Sequence, residues 1–246
     1  ASGATLTWFA LGDRDLATHL YRTGRLAAGA TLSQVTGEIA RRWRVEARLL
    51  PMTDASVETR VTVELPRNGI CEPRGPGPAL REIGFQEYFV GLHHSVPVRQ
   101  VRFAGVEAAR PAPGALEAIN DTDLVMICPS NPIVSIGPIL AVAGVSAAVA
   151  RRRDSTVAIS PIVAGKALKG PADRMLTELG FEASAAGVAK LWASLAATLV
   201  IDEADAALAN RVEAEGMRCV VAPTVMSGLA EAARLAELTL AAGARQ

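Results

Sequence analysis

The sequence predicts an α/β protein with a Rossmann-like three-layer α/β/α core on a mostly parallel sheet, plus an α+β insertion region. Three observations carry that prediction. From residue 101 onward, short, largely apolar runs alternate with helix-like segments of about 10–15 residues, the grammar of right-handed βαβ units. Before that point the pattern is different: two helix-like segments precede alternating runs that flank a Gly/Pro-dense stretch. Finally, half of the 246 residues are apolar, enough to fill a sizeable core. The expected division is an insertion or cap region at residues 1–98, helices then a β hairpin, and the C-terminal half of a Rossmann-like core at 99–246.

Each element follows from its own pattern. Residues 15–23 read as a helix, and residues 31–43 place Leu32, Val35, Ile39 and Ala40 at helical spacing, with Thr31 or Ser33 as the cap. Residues 57–65 alternate as a half-buried strand should. Residues 66–78 hold too much glycine and proline for a regular element, and 85–90 read as a strand paired with the preceding one, making 57–98 a β insertion. In the core, strands are expected at 101–103, 123–128, 156–159, 198–201 and 219–222. Helices are expected at 113–119, 139–150, 171–179, 203–209 and 228–241. Ligands of such sheets bind beyond the carboxyl ends of the strands.

Composition excludes several function classes. The 25 basic and 25 acidic residues cancel, so no global positive field gathers nucleic acid. The run Arg151–Arg152–Arg153 closes an apolar helix-like stretch, where cations suit the carboxyl end of the helix dipole. Cys71, Cys128 and Cys219 are isolated, which indicates neither a disulfide framework nor a structural zinc; Cys128 and Cys219 read as small buried hydrophobes. No apolar run approaches the ~20 residues that span a bilayer, no membrane partner is indicated, and a cytoplasmic location is expected. Trp43 and Trp192 read as core or interface residues, and His93 and His94 as solvent-facing.

Three segments can carry chemistry. In residues 129–138, Ser130 and Asn131 leave a strand end directly. A hydroxyl beside an amide suits a nucleobase edge or a phosphate oxygen, and equally a turn that bonds its own backbone. In residues 160–171, Ser160, Gly165, Lys166, Lys169 and a helix opening at a proline could hold a diphosphate or form a solvated loop; Walker A spacing is missing. In residues 8–19, Gly12 precedes Asp13 and Asp15, and His19 falls four residues beyond Asp15 on one helical face, with Asp13 a candidate cap. That group could serve a ligand, or be a capped start beside a surface histidine. Asp202, Glu203 and Asp205 read as the capped start of a helix.

Together these segments resemble the 2-phospho-L-lactate transferases. The resemblance rests on Trp8 with Leu11 to His19, on Leu32 to Thr36, on Phe85 to Tyr88, on the run from Pro129 to Leu140, and on Ser160 to Val163 with Gly165, Lys166, Leu168 and Gly170. It implies a transferase that joins a guanosine-diphospho-activated 2-phospholactate or phosphoenolpyruvate to the deazaflavin FO, with GMP leaving and magnesium assisting, in a homodimeric Rossmann-like enzyme. It implies catalytic roles for Asp13, Asp15 and His19, and ligand-binding roles for Trp8, Gly12, Ser130, Asn131, Ser160, Gly165, Lys166 and Lys169; no metal ligand carries over. Family members open with a Gly-rich phosphate loop and an Asp-Asp segment that nothing before Trp8 matches, so the chain is expected to lack that segment. The alternatives are a guanine-nucleotide-binding remnant without catalysis, or a scaffold completed by another chain.

Overall fold

The structure, a computed structural model, describes residues 11–65 and 79–244. Trp8, Cys71 and the expected loop at 66–78 lie outside the described residues. The chain divides into two compact units, Ala1–Ala115 and Leu116–Gln246. This boundary falls later than residue 98 because the strand expected at 101–103 pairs within the first unit.

In the first unit, helix α1 spans Asp13–Ala27 and α2 spans Leu32–Arg42. Gly29, at φ +89°, closes α1 in the left-handed conformation, and the Ala30 N–H donates back to the Arg25 carbonyl at 3.1 Å. Thr31, rather than Ser33, caps α2 through a reciprocal capping box with Gln34. The Ser33 N–H donates instead to Asp54 Oδ1 at 2.6 Å. α1 buries no residue. Polar bonds tie it to α2: Glu38 accepts the Tyr21 hydroxyl at 2.6 Å and two Arg25 N–H groups at 3.0 and 2.8 Å. The Arg25 bonds, then that of Tyr21, hold the Glu38 carboxyl down to about 2.

Strand β1 (Glu58–Leu65) lies between β2 (Ala79–Gly84) and β3 (Val98–Ala104), antiparallel to both. Val61, Val63, Ile83 and Val98 are buried, while Arg60 and Arg102 face each other across β1 and β3. That like-charge pair is relieved by carboxylates: Arg102 forks onto Glu82 at 2.6 and 2.7 Å, and Arg60 bonds Glu58 at 2.9 Å. Residues 85–90 are not the strand expected. Phe85, Tyr88 and Phe89 stand at i, i+3 and i+4, a helical spacing, and the chain forms a π-helical turn at Glu87–Gly91. Phe85, Phe89 and His94 stack there with centroids 5.6 and 5.4 Å apart, so His94 is half-buried while His93 is exposed. Trp43 is 55% exposed, not core.

The second unit is the Rossmann-like part. After α3 (Ala115–Asp121) come β4 (Val125–Ile127), a π-helical turn at Pro132–Ile136, α4 (Gly137–Ala141), α5 (Val145–Arg151) and β5 (Thr156–Ile159). The hairpin β6–β7 (Ile162–Val163, Lys166–Ala167) leads to α6 (Ala172–Glu178), α7 (Ala185–Trp192) and β8 (Thr198–Ile201). A 3₁₀ turn at Glu203–Leu208, α8 (Ala209–Ala214), β9 (Arg218–Val221) and α9 (Leu229–Gly243) complete it. The strands run parallel in the order β4-β5-β8-β9. Successive residues feed opposite faces: Ala158, Leu199 and Ile201 pack with Leu176, Val188, Trp192 and Val212. Val157, Ile159 and Val200 pack with Leu235 of α9. Helices therefore cover both faces of the sheet.

The differences from expectation have local causes. The helix expected at 139–150 is broken between α4 and α5, where Val142 is extended and Gly144 sits at φ +85°. α7 was not expected, because six of its eight residues are buried and no polar face reveals a period. The helix expected at 203–209 is a 3₁₀ turn continued by α8. Cys128 is exposed and Cys219 half-buried rather than buried; Cys128 lies one residue past β4, one of the two edge strands of the four-stranded sheet as described. The arginine run serves helix ends as expected, though those of neighbours. Arg153 donates to the Ala193 and Gly216 carbonyls at 2.7 and 2.6 Å, beyond α7 and α8.

Candidate functional site

The expected site residues fall into two groups, one in each unit. In the first unit, Asp13 is not a cap: Gly12 is the N-cap residue and makes no side-chain bond. Asp13 and Asp15 are exposed in the first turn of α1, where the helix dipole favours negative charge, and neither carboxylate forms an ion pair among the described residues. His19, one turn on, lies 2.9 Å from Arg22 Nη2 through its Nδ1. A guanidinium only donates, so Nδ1 accepts and the ring proton sits on Nε2. His19 thus presents an N–H donor, on the same face as the Asp15 carboxylate.

The second group lies at the carboxyl ends of β4 and β5, where a parallel sheet places its ligands. Asn131 caps the π-helical turn: its Oδ1 accepts from the Ile133 and Val134 N–H groups at 2.9 and 3.2 Å. Its amide nitrogen stands 3.7 Å from Met175 Sδ. Ser130, beside it, is half-buried. Ser160 is buried and exchanges hydrogen bonds with the backbone of Ile162, its Oγ donating at 2.9 Å and accepting at 3.2 Å. Of the two readings open for Asn131, the backbone one describes its side-chain oxygen, and the Ser160 hydroxyl is likewise engaged by backbone.

Ala164 and Gly165 form the two-residue turn of the β6–β7 hairpin at φ +50° and +75°, the signature of a type I′ turn. Lys166 follows with its side chain 80% exposed and its Nζ 3.5 Å from Asp173 Oδ2. Lys169 is also exposed. Two cations and a tight turn thus extend from the end of β5.

Two buried acids, read from sequence only as a helix start, organise this edge. Asp202 does cap, accepting from the Ala204 N–H at 3.0 Å through Oδ1, but its Oδ2 also takes the N–H and hydroxyl of Thr224, both at 2.9 Å. Burial pushes its carboxyl pKa up, yet those N–H and hydroxyl donors outweigh it and leave the group below its ordinary value. Asp205 Oδ2 accepts from the Ala164 N–H at 3.0 Å. The pair thereby joins the β8 end to the loops after β9 and β5. Their spacing at a strand end was the only sequence signal.

Among the described residues no group of three or more His, Cys, Asp or Glu side chains could hold a metal ion. With Asp202 and Asp205 bonded to backbone N–H groups, the described part of this edge does not fit a protein-built magnesium site.

The family model of 2-phospho-L-lactate transferase CofD matches residues 4–231. The chain belongs to that family. A phosphoenolpyruvate transferase of Streptomyces coelicolor is 43% identical over 249 residues, covering 100% of this chain and 75% of the relative. One from Mycolicibacterium smegmatis is 39% identical over 227 residues, covering 92% and 67%. A solved structure of a UPF0052-family protein from Bacillus halodurans shares the fold, with a TM-score of 0.56 at 15% identity over 90% of this chain and 70% of that one. The 2-phospho-L-lactate transferase family makes this chain a transferase of coenzyme F420 biosynthesis. Among the described residues, no single helix is long and apolar enough to cross a membrane.

Proposed function

We propose that this protein transfers a phosphoenolpyruvyl group from a guanosine-diphospho-activated donor to the side-chain hydroxyl of the deazaflavin FO, giving dehydro-F420-0 and GMP. The observation that carries the choice of donor is the 43% identity, across the whole chain, to a relative named phosphoenolpyruvate transferase. In this reading the acceptor oxygen forms a bond to the phosphorus bearing the enolpyruvyl group. The anhydride bond breaks and its electrons leave with GMP, while Asp13 or Asp15 takes the hydroxyl proton. His19, with its ring proton on Nε2, donates to a phosphoryl oxygen. Lys166 and Lys169 offset the diphosphate charge, and Gly165 lets the backbone approach it; Gly12, Ser130 and the Asn131 amide nitrogen are assigned to ligand contact on the resemblance. Positioning and electrostatics supply most of the rate in such transfers. Magnesium, bound with the donor as its counter-ion, would neutralise charge on the diphosphate. The enzyme is proposed to act in the cytoplasm as a homodimer, a state supported by the exposed Leu16 and Leu20 on α1, which buries nothing of its own.

The test is to supply the full-length protein with FO, magnesium and either activated donor, and to follow product and GMP by chromatography. Faster turnover of the phosphoenolpyruvyl donor is expected. Faster turnover of the phospholactyl donor overturns the donor assignment, and nucleotide binding without turnover of either overturns the activity.

A further inference from the structure

The β6–β7 hairpin poses a physical question that the proposed chemistry leaves unanswered. Its turn places Ala164 at φ +50°, a left-handed conformation that residues with a Cβ rarely adopt. Type I′ turns ordinarily use glycine, asparagine or aspartate there. Ala164 is exposed, so no burial of its methyl group holds the turn in place. The neighbouring Val163 and Lys166 pair across the hairpin, but a two-residue β ladder is too short to fix a turn by itself.

What does hold it lies far away in sequence. The Asp205 carboxylate, 5% exposed, receives the Ala164 N–H at 3.0 Å, and it is the only side chain bonded to that turn among the hydrogen bonds described. Asp205 is itself fixed, because its own N–H donates to the Asp202 carbonyl at 2.9 Å, and Asp202 is locked to Ala204 and Thr224. A bond from an N–H to a charged acceptor is roughly twice as strong as a neutral one, and a buried acceptor cannot exchange it for water. The chain of contacts therefore runs from the rigid end of β8, through Asp205, to the turn that sets where Gly165 and Lys166 point.

We infer that Asp205 is a positioning residue for the nucleotide donor: it pins the Ala164–Gly165 turn so that the hairpin amides and Lys166 meet the diphosphate. The inference rests on the proposed reading that this hairpin takes the donor. Asp205 touches no substrate and acts only through the turn.

The test uses the full-length protein and GDP with magnesium as the probe, by calorimetry, alongside peptide-resolved hydrogen exchange. Asp205→Ala is expected to weaken GDP binding about tenfold, in line with the loss of one hydrogen bond to a charged group, and to speed exchange at the 162–167 segment. Asp205→Asn keeps an oxygen that can accept from Ala164, so binding should stay within about threefold of the parent. The deciding variant is the double substitution Asp205→Ala with Ala164→Gly. Glycine holds a positive φ without help, so it should recover most of the lost affinity. Parental GDP affinity in Asp205→Ala overturns the positioning role while leaving the transferase reading intact. A loss that Ala164→Gly does not repair also overturns it, since that is the behaviour of a residue that only supports the fold. Should Asp205→Ala fail to fold, Asp205→Asn with Asp205→Ser decides in its place: equal affinities in the two, despite the shorter reach of serine, overturn the proposal. A parent protein that binds no GDP would instead refute the donor reading, and the inference with it.

Discussion

The two units hold themselves together by different means. In the second, β5 and β8 are buried at every position, and their successive side chains feed cores on both faces. In the first, β1 buries only Val61 and Val63, and its other face carries Arg60, set against Arg102 and balanced by Glu58 and Glu82. α1 goes further, burying nothing and depending on Glu38 for its bonds to α2. A parallel sheet with helices on both sides must be apolar throughout, whereas a three-stranded antiparallel sheet can leave one face to charge. The difference teaches where each unit is vulnerable: the second to lost volume, the first to lost charge.

The sharpest way to break that contrast is to remove volume from the second unit. Leu199 is fully buried at the centre of β8. Leu199→Ala should cost ~2–5 kcal/mol, the range for a large-to-small change in a packed core. Urea unfolding monitored by hydrogen exchange should place the loss in residues 116–244 and spare the α1–α2 segment. An equal loss in both would mean that the units do not unfold separately.

The converse experiment removes charge from the first unit. The folded pKa of Glu38, about 2, lies below its ordinary 4.5. A depressed carboxyl contributes stability that is fully present above the unfolded value and is lost as pH falls through the folded one. Protection of α1 and α2 should therefore decline between pH 4.5 and about 2, and Glu38→Gln should flatten that decline at the expense of protection at neutral pH. The pair is exposed to salt, so raising ionic strength should weaken the effect. A pH profile unchanged in Glu38→Gln would assign α1 docking to some other contact.

How much of this was legible in the sequence follows the same division. The strands 156–159 and 198–201 were read to the residue because a buried parallel strand is an uninterrupted apolar run. Six of the eight residues of α7 are buried too, but a helix without a polar face has no period to detect. The stretch at 85–90 reads as a strand by alternation, while Phe85, Tyr88 and Phe89 follow the helical spacing that the structure adopts. The sequence is legible where local chemistry decides: Thr31, offered with Ser33 as a cap, closes the capping box of α2. It is not legible where a side chain reaches across the fold. The bond from Ala164 to Asp205 spans 41 positions with no periodic trace.

The capping box at the start of α2 gives a smaller, purely local test. Thr31→Ala removes the oxygen that accepts the Gln34 N–H, while the Gln34 side chain can still accept from the backbone N–H of residue 31. The expected cost is ~1 kcal/mol, typical of a lost N-cap. Thermal unfolding with and without 0.5 M salt, a level chosen to screen surface charge, should show the same loss in both, since the box involves neutral groups. A loss that shrinks with salt would tie it to the neighbouring charges of Arg25, Glu38 and Arg41 instead.

The smallest effect comes from the strained turn in the second unit, where two opposing terms nearly cancel. Holding Ala164 at φ +50° costs roughly 1–2 kcal/mol relative to an unstrained residue, and Ala164→Gly removes that cost. Glycine brings a penalty of its own, because its unfolded chain is freer by about 0.4–1 kcal/mol. Ala164 is exposed, so no packing term enters. The backbone N–H that bonds Asp205 is retained, so that contribution is unchanged too. The net expectation is a gain of about 0–1.6 kcal/mol, read as a small rise in the urea midpoint at constant slope. A clear destabilisation would mean that the Ala164 methyl group makes a contact on which the hairpin depends. It would also extend the contrast, since the second unit would then hold even this turn by packing rather than by the Asp205 charge.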